Sequence, residues 1–429
     1  MQRGRFGHRP RNDPRFYGGK YPFIQTGNIV KASTTNEKIE FTQTLNDLGL
    51  STSRLFDEKV LVITIAANIG YTAILDYAAC FPDSLVALTP KDDSLSLEYL
   101  NAYIRFIRMY IENLAPQAAQ KNINLKQLNK LPIIIPNRGI QAEIIDIMEK
   151  AYSQKTAKEN QAEALLNSIN DYLLQELGIV MPLEKENTLE SRMFYVKSST
   201  VIGNRFDPFY YKKKFVQYEK SLQLGTYNVC SLGQYIKDIS YGASVDNCYT
   251  DSGIPFLRIK DLKPNEIYSQ EIVFLPIELE KDVLTSRVSI DDVLITRSGT
   301  IGVCSVVDEA HDGFAFGSFM IKFSLVNIVP QYVSYIINSF IGKVYFERNK
   351  IGAIQGNITI PVIKSLQIPI PEIEKQIKIV ESIDCIRQQV QDVEQEQTFF
   401  LCVTISSHIE LVRCHDNLML LQLPHSQPT

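Results

Sequence analysis

The sequence predicts an α+β protein that is built twice, with two similar mixed domains that are each followed by a long helix. Three blocks of sequence recur in the same order at a separation of about 233 residues. Each copy carries β-branched apolar runs that end at turn residues, and a helical spacing of apolar residues follows. Because this separation is far longer than the period of a solenoid, the repeat indicates a duplicated domain-plus-helix unit.

Each recurring block has a predictable local structure. The blocks are Tyr21–Ile29 with Ile254–Leu262, Leu61–Leu75 with Val293–Val307, and the segments that end at Pro136 and Pro371. In the second block, the runs Leu61–Ala66 and Val293–Thr296 predict strands, and a tight turn follows each of them. The third block is too rich in proline for a central strand, so we interpret LPIIIP and IPIP as extended connectors.

Helices are predicted after the second and the third block of each copy. Short helices are expected over Ser96–Ile111 and Gln331–Glu347, and a long one over Gln141–Leu177. In the second copy, apolar residues recur at steps of four and three: Ile379, Ile383, Ile386, Val390 and Val393. This spacing is typical of a coiled coil, so we expect the two long helices to pair with each other. The alternative is that each helix packs on its own domain.

Composition limits the class of protein. The chain has 429 residues, of which 45% are hydrophobic and 21% charged, and this suits a soluble protein of several domains. No run of about 18 apolar residues is present, so we expect no membrane span. The seven cysteines are scattered and form no CxxC pair, which favours a reducing, cytoplasmic setting. The net charge of −4 does not by itself favour nucleic-acid binding.

Four segments are distinctive in sequence: IPFLRIKDL, DVLITRSGTIG, IQGNITIPVIKSLQIPIP with the heptad helix behind it, and GNRFDPFYY at Gly203–Tyr211. Together they resemble the specificity subunits of type I restriction-modification systems. The resemblance covers roughly residues 15–397 and is more specific in the second half. It implies two target-recognition domains that are joined by two long antiparallel, coiled-coil-like spacer helices in a pseudo-twofold arrangement.

This organisation divides the chain into five parts. We expect a first target-recognition domain over 1–138, a helical spacer over 139–180, a second target-recognition domain over 181–371, a second spacer over 372–400 and an irregular tail over 401–429. The counterpart of the sequence from about Asn204 to Gly253 would lie mostly before Met1. We therefore interpret the first domain as N-terminally shortened.

The resemblance also implies a function. Each target-recognition domain would read one half of a bipartite sequence in double-stranded DNA. The chain would scaffold two methyltransferase (modification) subunits, and restriction/translocase subunits in the full complex. It would be non-catalytic and hold no cofactor, because S-adenosylmethionine, and ATP and magnesium in the full complex, would bind the partner subunits. An alternative is a protein-interaction scaffold whose DNA recognition is degenerate.

A DNA reader needs cations that contact phosphates and side chains that reach base edges. Arginine can fork onto guanine, and asparagine or glutamine onto adenine. The candidate DNA-binding residues of the second domain lie on turns and on an expected strand face: Arg258, Lys260, Arg297, Ser298, Thr300, Gln355 and Asn357. Those of the first domain are Gln25, Asn28, Asn68, Gln120, Lys121 and Asn122.

Some of these candidates also have a purely structural interpretation. Asn68 and Gly299 are residues of the types that commonly form turns. Arg258 and Lys260 also fit an ordinary exposed strand, and the glutamine-x-asparagine pairs of the third block also suit the bracing of a connector.

The turn after the second block differs between the copies. Arg297–Thr300 is aligned with Ala66–Asn68, and unlike side chains at equivalent places are what two different half-sites require. Because the net charge is −4, we expect little counterion release and weak DNA binding by the isolated chain. Tight binding would then need partner subunits that close around the duplex.

The sequence gives little support for catalysis. It contains no GxxxxGK[ST] phosphate loop and no GxGxxG before a helix. Asp207–Tyr210 is faintly similar to an amino-methyltransferase motif, and Asp57 with Lys59 to the end of a nuclease metal site. His408 and His415 lie near two cysteines, but their spacing fits no standard zinc site. We interpret each as a surface feature, with a nuclease or methyltransferase as the least favoured alternative.

Overall fold

The computed structural model describes residues 1–8, 12–115, 122–182, 188, 193–202, 205–245, 248–350 and 356–415, with side chains up to residue 396. The chain divides into a first unit, Met1–Gln161 with Val393–Thr429, and a second unit, Ala162–Asp392. Among the described residues, no helix combines the length and the apolar character needed to cross a membrane.

The first unit is a mixture of short strands and helices. Its strands are β1 (Gln2–Arg3), β2 (Tyr17–Phe23), β3 (Gln43–Leu45), β4 (Leu55–Phe56), β5 (Val60–Thr64), β6 (Thr72–Leu75), β7 (Ala79–Cys80) and β8 (Leu85–Leu88). Its helices are α1 (Thr26–Thr35), α2 (Asp47–Ser51), α3 (Leu97–Phe106), α4 (Arg108–Asn113) and α5 (Leu125–Leu128), and the long helix α6 (Arg138–Glu176) begins in this unit.

The main sheet of the first unit has the strand order β1-β8-β5-β6, and its neighbouring strands are antiparallel. All residues of β5 are buried, because helices and loops cover both faces of this central strand. Leu61 and Ile63 belong to one apolar cluster with residues of α3, while Val62 belongs to another with residues of α1. A second sheet has the order β3-β2-β7-β4, in which β2 and β7 are parallel.

The second unit repeats this architecture with additional strands. Its strands are β9 (Val229–Ser231), β10 (Ile236–Tyr241), β11 (Ile254–Leu257), β12 (Leu262–Lys263), β13 (Glu266–Ile267), β14 (Val273–Leu275), β15 (Val293–Thr296), β16 (Cys304–Val306), β17 (Ala315–Phe316), β18 (Met320–Leu325) and β19 (Gln367–Pro369). Its helices are α7 (Ser198–Val201), α8 (Lys213–Gln223), α9 (Glu280–Val283), α10 (Pro330–Asn338), α11 (Phe340–Asn349) and α12 (Ile360–Lys364), and the long helix α13 (Ile373–His415) begins in this unit.

The order of the strands confirms that the chain is built twice. The sheet β10-β18-β15-β16 has the same antiparallel order as β1-β8-β5-β6. The sheet β14-β11-β17 reproduces β3-β2-β7, with one antiparallel and one parallel pairing in each. The register agrees as well, since Arg3 pairs with Val86 as Tyr241 pairs with Ile321.

A glycine is required at the end of the first strand of each main sheet. A Cβ atom on Gly4 would lie 2.3 Å from the carbonyl oxygen of Pro82. A Cβ atom on Gly242 would lie 2.3 Å from the carbonyl oxygen of Gly317. Both distances are far below van der Waals contact, so the backbone can approach the neighbouring loop this closely only where no side chain is present.

The predicted helices Ser96–Ile111 and Gln331–Glu347 are each found as two shorter helices, α3 with α4 and α10 with α11. In the second unit, Ser339 has an extended conformation and ends α10. Its hydroxyl accepts a hydrogen bond from the backbone N–H of Ile341 at 3.2 Å and caps α11. A side chain that competes for backbone groups therefore breaks the helix that the apolar periodicity predicts.

The two proline-rich connectors differ. In the first unit, the hydroxyls of Tyr99 and Tyr103 donate to the carbonyl oxygens of Ile134 and Pro132, and no strand forms there among the described residues. In the second unit, β19 pairs antiparallel with β9, so our interpretation of IPIP as a mere connector is wrong. A two-stranded pairing tolerates proline because it leaves one edge of the strand free.

A buried glutamine fixes the start of each long helix. Gln141 and Gln376 are each 1% exposed. The Oε1 atom of Gln376 accepts from the backbone N–H of Val329 at 2.9 Å, and its Nε2 atom donates to the carbonyl oxygen of Pro371 at 2.8 Å. Gln141 makes the matching contacts with the N–H before α3 and the carbonyl before α6. Each helix is thus joined to the domain before it by the same device.

The long helices contact each other, as the heptad spacing predicts. In the second unit, Leu173 and Leu177 share an apolar cluster with Ile379 and Ile383 of α13. The same part of α13 also contacts its own domain, since the guanidinium of Arg387 donates to backbone carbonyl oxygens of the β12–β13 hairpin. α13 therefore both pairs with the other long helix and packs on its own domain, so the two alternatives that the sequence left open are both correct.

Ion pairs between the long helices indicate their direction. In the second unit, Lys375 near the start of α13 pairs with Glu176 at the end of α6, and the hydrogen bond raises the pKa of Lys375. In the first unit, the Nζ atom of Lys158 lies 2.5 Å from Oε2 of Glu396. The partners follow opposite orders along the two helices, as antiparallel pairing requires.

The last helix is longer than the sequence pattern suggests. We expect an irregular tail from residue 401, but α13 continues to His415, so this prediction is wrong for residues 401–415. The stretch contains neither glycine nor proline, so no residue in it favours an end to the helix even though its heptad pattern is lost. Residues 416–429 lie outside the described part of the chain.

Candidate nucleic-acid interface

The strand β15 ends in a tight turn, here called the second turn (residues 297–302). The hydroxyl of Thr296 accepts from the N–H of Val303 at 3.0 Å and donates to the carbonyl oxygen of Thr300. Gly299 and Gly302 have φ values of 74° and 81°, which a glycine adopts without strain. The turn leaves Thr300 exposed and Arg297 half-buried at its base.

The second turn brings several candidate residues together. The Nε atom of Arg297 donates to Oδ1 of Asn357 at 3.2 Å, and the backbone N–H of Ile358 donates to the carbonyl oxygen of Arg297 at 2.9 Å. An isolated β-bridge joins Ser298 to Asn357. Arg297, Ser298 and Asn357 thus form one cluster, although about sixty positions separate the arginine from the asparagine along the chain.

Two aromatic residues that the sequence did not single out complete this cluster. The guanidinium of Arg297 lies 4.6 Å from the ring centroid of Tyr241, at the end of β10. The carbonyl oxygen of Phe319 accepts from the N–H of Arg297 at 2.9 Å, and the side chain of Phe319 is 56% exposed. Tyr241 ends β10 and Phe319 immediately precedes β18, and both are far from Arg297 in sequence, so no local pattern around Arg297 could have indicated them.

Arg258 and Lys260 do not lie on a strand face, so that prediction is wrong. β11 ends at Leu257, and Arg258 precedes a 3-10 helix, Ile259–Asp261. The carboxylate of Asp261, which is almost fully buried, accepts from the N–H, Nε and Nη2 atoms of Arg258 at 2.8–3.0 Å. This side-chain hydrogen bonding raises the pKa of Arg258. The turn forms because the carboxylate satisfies the backbone at the end of the strand.

The charge of Lys260 is also balanced within the domain. Its Nζ atom lies 2.8 Å from Oε2 of Glu271, and the hydrogen bond lowers the pKa of that carboxylate. Arg258 and Lys260 are therefore cations with carboxylate partners, while Arg297 has none within ion-pair distance among the described residues. Of these three cations, Arg297 is therefore the one whose positive charge is most available to bind a ligand.

In the first unit, the equivalent turn, here called the first turn (residues 65–70), has the same backbone. The N–H of Gly70 donates to the carbonyl oxygen of Thr64 at 2.9 Å, as that of Gly302 donates to Thr296 at 3.0 Å. Gly70 has a φ value of 82°, and Ala67 takes the place of Gly299 with a φ value of 61°. The side chain of Asn68 is exposed at the tip.

The hydrogen bonds correct our alignment of the two turns. The N–H of Ile123 donates to the carbonyl oxygen of Ile65 at 2.9 Å, as that of Ile358 donates to Arg297. Arg297 therefore corresponds to Ile65, which is 3% exposed, and the turn compares residues 65–68 rather than 66–68 with 297–300. Asn122 is exposed, and an isolated bridge joins it to Ala66. The first turn thus has the amide but lacks the cation.

Gln25 and Asn28 form a cap at the end of β2. The Oδ1 atom of Asn28 accepts from the N–H of Gln25 at 2.8 Å, and the two residues make a reciprocal capping box before α1. The Nε2 atom of Gln25 also donates to Oε1 of Gln43 at 2.5 Å. This cap is the neutral counterpart of Arg258 with Asp261, so the amides have a structural role here. Gln120, Lys121 and Gln355 lie outside the described residues.

Comparison with known proteins identifies the family of these two units. A family model, described as the type I restriction modification DNA specificity domain, matches residues 7–168 and 238–397. The chain belongs to this family. The first matched region contains β2 to β8 with the first turn, and the second contains β11 to β19 with the second turn.

Individual relatives agree with this assignment. The type I restriction enzyme StySPI specificity subunit of Salmonella potsdam is 28% identical over 155 residues, which make up 34% of this chain and 32% of that protein. The chain thus matches about a third of the length of this curated relative. The structure titled "Structural basis underlying complex assembly and conformational transition of the type I R-M system" has a TM-score of 0.50 and 15% identity, with coverage of 95% of this chain and 92% of that one. This likeness is one of fold.

A further solved structure is the type I restriction-modification system S subunit from M. genitalium. It has a TM-score of 0.44 and 12% identity, and the match covers 94% of this chain and 91% of that chain.

The enzyme-like motifs have structural roles in this specificity-domain protein. Asp207 caps the 3-10 helix Pro208–Tyr211 by accepting from the N–H of Phe209 at 3.0 Å. Lys59 pairs with Glu98 at 2.7 Å. Among the described residues, no group of three or more His, Cys, Asp and Glu side chains is placed to hold a metal ion. The side chains of His408 and His415 lie outside the described part.

Proposed function

We propose that this chain is the DNA sequence-recognition subunit of a type I restriction-modification complex, and that it reads a bipartite target in double-stranded DNA. The observation that carries the proposal is that the two specificity domains have main sheets of the same topology and turns of the same backbone conformation. The side chains at these turns differ. Ile65 and Asn68 stand in the first turn where Arg297 and Thr300 stand in the second. A shared scaffold with unlike surfaces is what two different half-sites require.

In the second domain, Arg297 is the residue best suited to read a base. Its Nε contact with Asn357 and the ring of Tyr241 hold the guanidinium in place, so little side-chain entropy is lost on binding. A guanidinium held in this way can donate two parallel hydrogen bonds to O6 and N7 of guanine in the major groove. The hydroxyl of Thr300 and the ring of Phe319 are exposed in the same part of the domain and would meet adjoining groups of the duplex.

The chain itself would be non-catalytic and would act with partner subunits. Two methyltransferase subunits, with restriction/translocase subunits in the full complex, would supply the chemistry. S-adenosylmethionine, and ATP and magnesium in the full complex, would bind those subunits rather than this chain. We expect the complex to work in the cytoplasm. The relatives support this proposal, since one is a specificity subunit and another comes from a study of the assembly of a type I system.

The isolated chain should bind DNA weakly. Its net charge is −4, and Arg258 and Lys260 are neutralised by carboxylates within the second domain. DNA affinity depends largely on the counterions that are displaced when protein cations neutralise phosphates. For each neutralised phosphate, the logarithm of the binding constant falls by about 0.9 per tenfold rise in salt concentration. A chain of net negative charge, in which these two candidate cations are already paired, therefore needs partner subunits that enclose the duplex.

The decisive experiment is to map the methylated positions in DNA modified by the complex of this chain with its methyltransferase subunits. We expect one bipartite motif with two specified halves and an unspecified spacer. A single continuous motif would show that one domain does not read DNA, and the absence of any motif would favour a scaffold. Purification of the tagged chain supplies an independent check, since a specificity subunit should retain methyltransferase subunits in stable proportion.

A further inference from the structure

We infer that the guanidinium of Arg3 contacts a base of the first half-site, as the guanidinium of Arg297 would contact a base of the second. The two domains would then take the same functional group from different strands of the same sheet. This inference rests on the proposed function and goes beyond it, because Arg3 belongs to no block of the repeat and precedes the family match, which begins at residue 7.

The register of the main sheets places Arg3 beside the first turn. Arg3 pairs with Val86 on β8, as Tyr241 pairs with Ile321 on β18. Arg3 therefore occupies the place of Tyr241, which is the residue whose ring lies beneath the guanidinium of Arg297. The glycine that follows each of these strands approaches the same loop at the same distance, so the two chain paths coincide there.

The guanidinium of Arg3 reaches the loop carbonyl that Arg297 faces in the second domain. Its Nε atom donates to the carbonyl oxygen of Asp83 at 2.5 Å. In the second domain, a terminal nitrogen of Arg297 lies 3.5 Å from the carbonyl oxygen of Ser318. The two carbonyls are equivalent, because in each unit the carbonyl of the next residue accepts from the first N–H of the turn, at 3.0 Å and 2.9 Å. Both guanidinium groups thus lie at one position on the common scaffold.

The residue that corresponds to Arg297 in sequence cannot perform this role. Ile65 is 3% exposed and packs in an apolar cluster with Leu100 and Ile104 of α3. The first turn thus has an apolar core residue where the second has Arg297, and the arginine at this loop comes from the edge strand β1. The exchange leaves the number of guanidinium groups at the loop unchanged.

Arg3 also has the free donors that a base contact needs. Its side chain is exposed, and among the described residues it has no carboxylate within ion-pair distance. The contact with Asp83 uses Nε, which leaves the two terminal nitrogens for a bidentate contact with guanine. The guanidinium of Arg54 donates to the carbonyl oxygen of Arg3 at 3.1 Å and holds the strand backbone in position. The side chain is therefore placed on a fixed element with its donors unused.

The test compares Arg3→Ala and Arg297→Ala in the assembled complex, with Lys38→Ala as the control. Lys38 also lies in the first unit and its removal takes away one positive charge, but its ammonium is paired with Asp76. We expect Arg3→Ala to relax or change one half of the methylated motif, with a loss of about tenfold or more in modification of the original site. Arg297→Ala should change the other half, and Lys38→Ala should change neither. If Arg3→Ala does not assemble, Arg3→Lys keeps the charge, loses the fork and should relax the same half.

The outcomes separate this inference from the proposed function. If the wild-type complex gives a bipartite motif and Arg3→Ala leaves both halves intact, the inference is wrong while the proposed function stands. Weaker modification of all sequences with an unchanged motif would likewise overturn the inference, because it would mark Arg3 as a phosphate contact. If the wild-type complex gives no bipartite motif, the proposed function fails and the inference fails with it.

Discussion

The first and second turns have one backbone and two different surfaces. In both, a threonine hydroxyl accepts the N–H that follows the turn, at 3.0 Å, and a glycine at a φ value near 80° closes the loop. The residue that follows the threonine is Ile65 in the first turn and Arg297 in the second. Ile65 is buried in the core, whereas the guanidinium of Arg297 faces the ring of Tyr241. Backbone hydrogen bonds and glycine thus maintain the scaffold, which leaves the side chains free to diverge.

The caps at the ends of β2 and β11 show the same principle. Equivalent turns are closed by Gln25 with Asn28 and by Arg258 with Asp261. In each, a side-chain oxygen of the second residue accepts from the backbone N–H of the first at 2.8 Å. One cap is neutral and the other is an ion pair. A charged residue at a turn can therefore stabilise the fold rather than bind a ligand, and substitutions at these positions distinguish the two roles.

The largest effect is expected from glycine replacement in the two turns. A Cβ atom on Gly302 would lie 2.8 Å from the ring of Phe346, while one on Gly70 would lie 3.0 Å from the flexible side chain of Arg108. Both positions have positive φ, which costs about 1–2 kcal/mol for alanine. Overpacking against a buried ring adds about 1–3 kcal/mol. We expect Gly302→Ala to lower the free energy of unfolding by about 2–5 kcal/mol, and Gly70→Ala by about 1–2 kcal/mol.

Denaturant unfolding monitored by hydrogen exchange in each domain measures this difference. Gly27→Ala is a suitable control, because Gly27 lies in α1 with open space around it and alanine is the better helix former. Equal destabilisation by the two turn variants would show that the surroundings of the glycine do not matter.

The next largest effect concerns the glutamines at the starts of the long helices. Gln141→Ala and Gln376→Ala each remove an amide that is 1% exposed and leave buried backbone groups without partners. We expect each to lower the free energy of unfolding by about 1–3 kcal/mol. Gln388→Ala, on the exposed face of α13, should change it by less than about 0.5 kcal/mol. Thermal unfolding of the purified chain tests all three, and a large effect of Gln388→Ala would contradict this account.

Replacement of Arg297 should change recognition on one side only. Arg297→Ala removes the guanidinium between Asn357 and Tyr241, and we expect about a tenfold or greater loss of modification at the original target. The methylated motif should relax at one half and keep the other. Equal loss at both halves would mean that Arg297 supports the fold or the assembly rather than one half-site.

The smallest effect is expected at Lys260. Its ammonium is 2.8 Å from the carboxylate of Glu271, and both side chains are largely exposed. An exposed ion pair of this kind contributes about 0–1 kcal/mol to stability. Lys260→Ala should therefore leave the methylated motif unchanged and alter DNA affinity by less than about threefold. A loss comparable to that of Arg297→Ala, measured by titration of the assembled complex with labelled DNA, would contradict our distinction between paired and unpaired cations.

Much of the fold follows from local sequence. The strand Val293–Thr296 is found as predicted, because a β-branched run bounded by turn residues has few other stable conformations. The helix predicted over Gln141–Leu177 is found at Arg138–Glu176. The duplication is confirmed because it depends on the order of several blocks and not on the ends of any element. The breaks in the shorter helices were missed, and in the second unit a single serine decides the break through its own hydrogen bond.

The sequence by itself determined that this protein is built twice, where the turns after β5 and β15 lie and which helices pair, because backbone conformation and apolar periodicity depend on neighbouring residues. Only the tertiary structure decided which cations are available to a ligand. Asp261 and Glu271 neutralise Arg258 and Lys260, while Arg3 meets a loop some eighty positions away that carries no carboxylate partner for it among the described residues. The free charge of a side chain depends on what the fold places within a few ångströms of it.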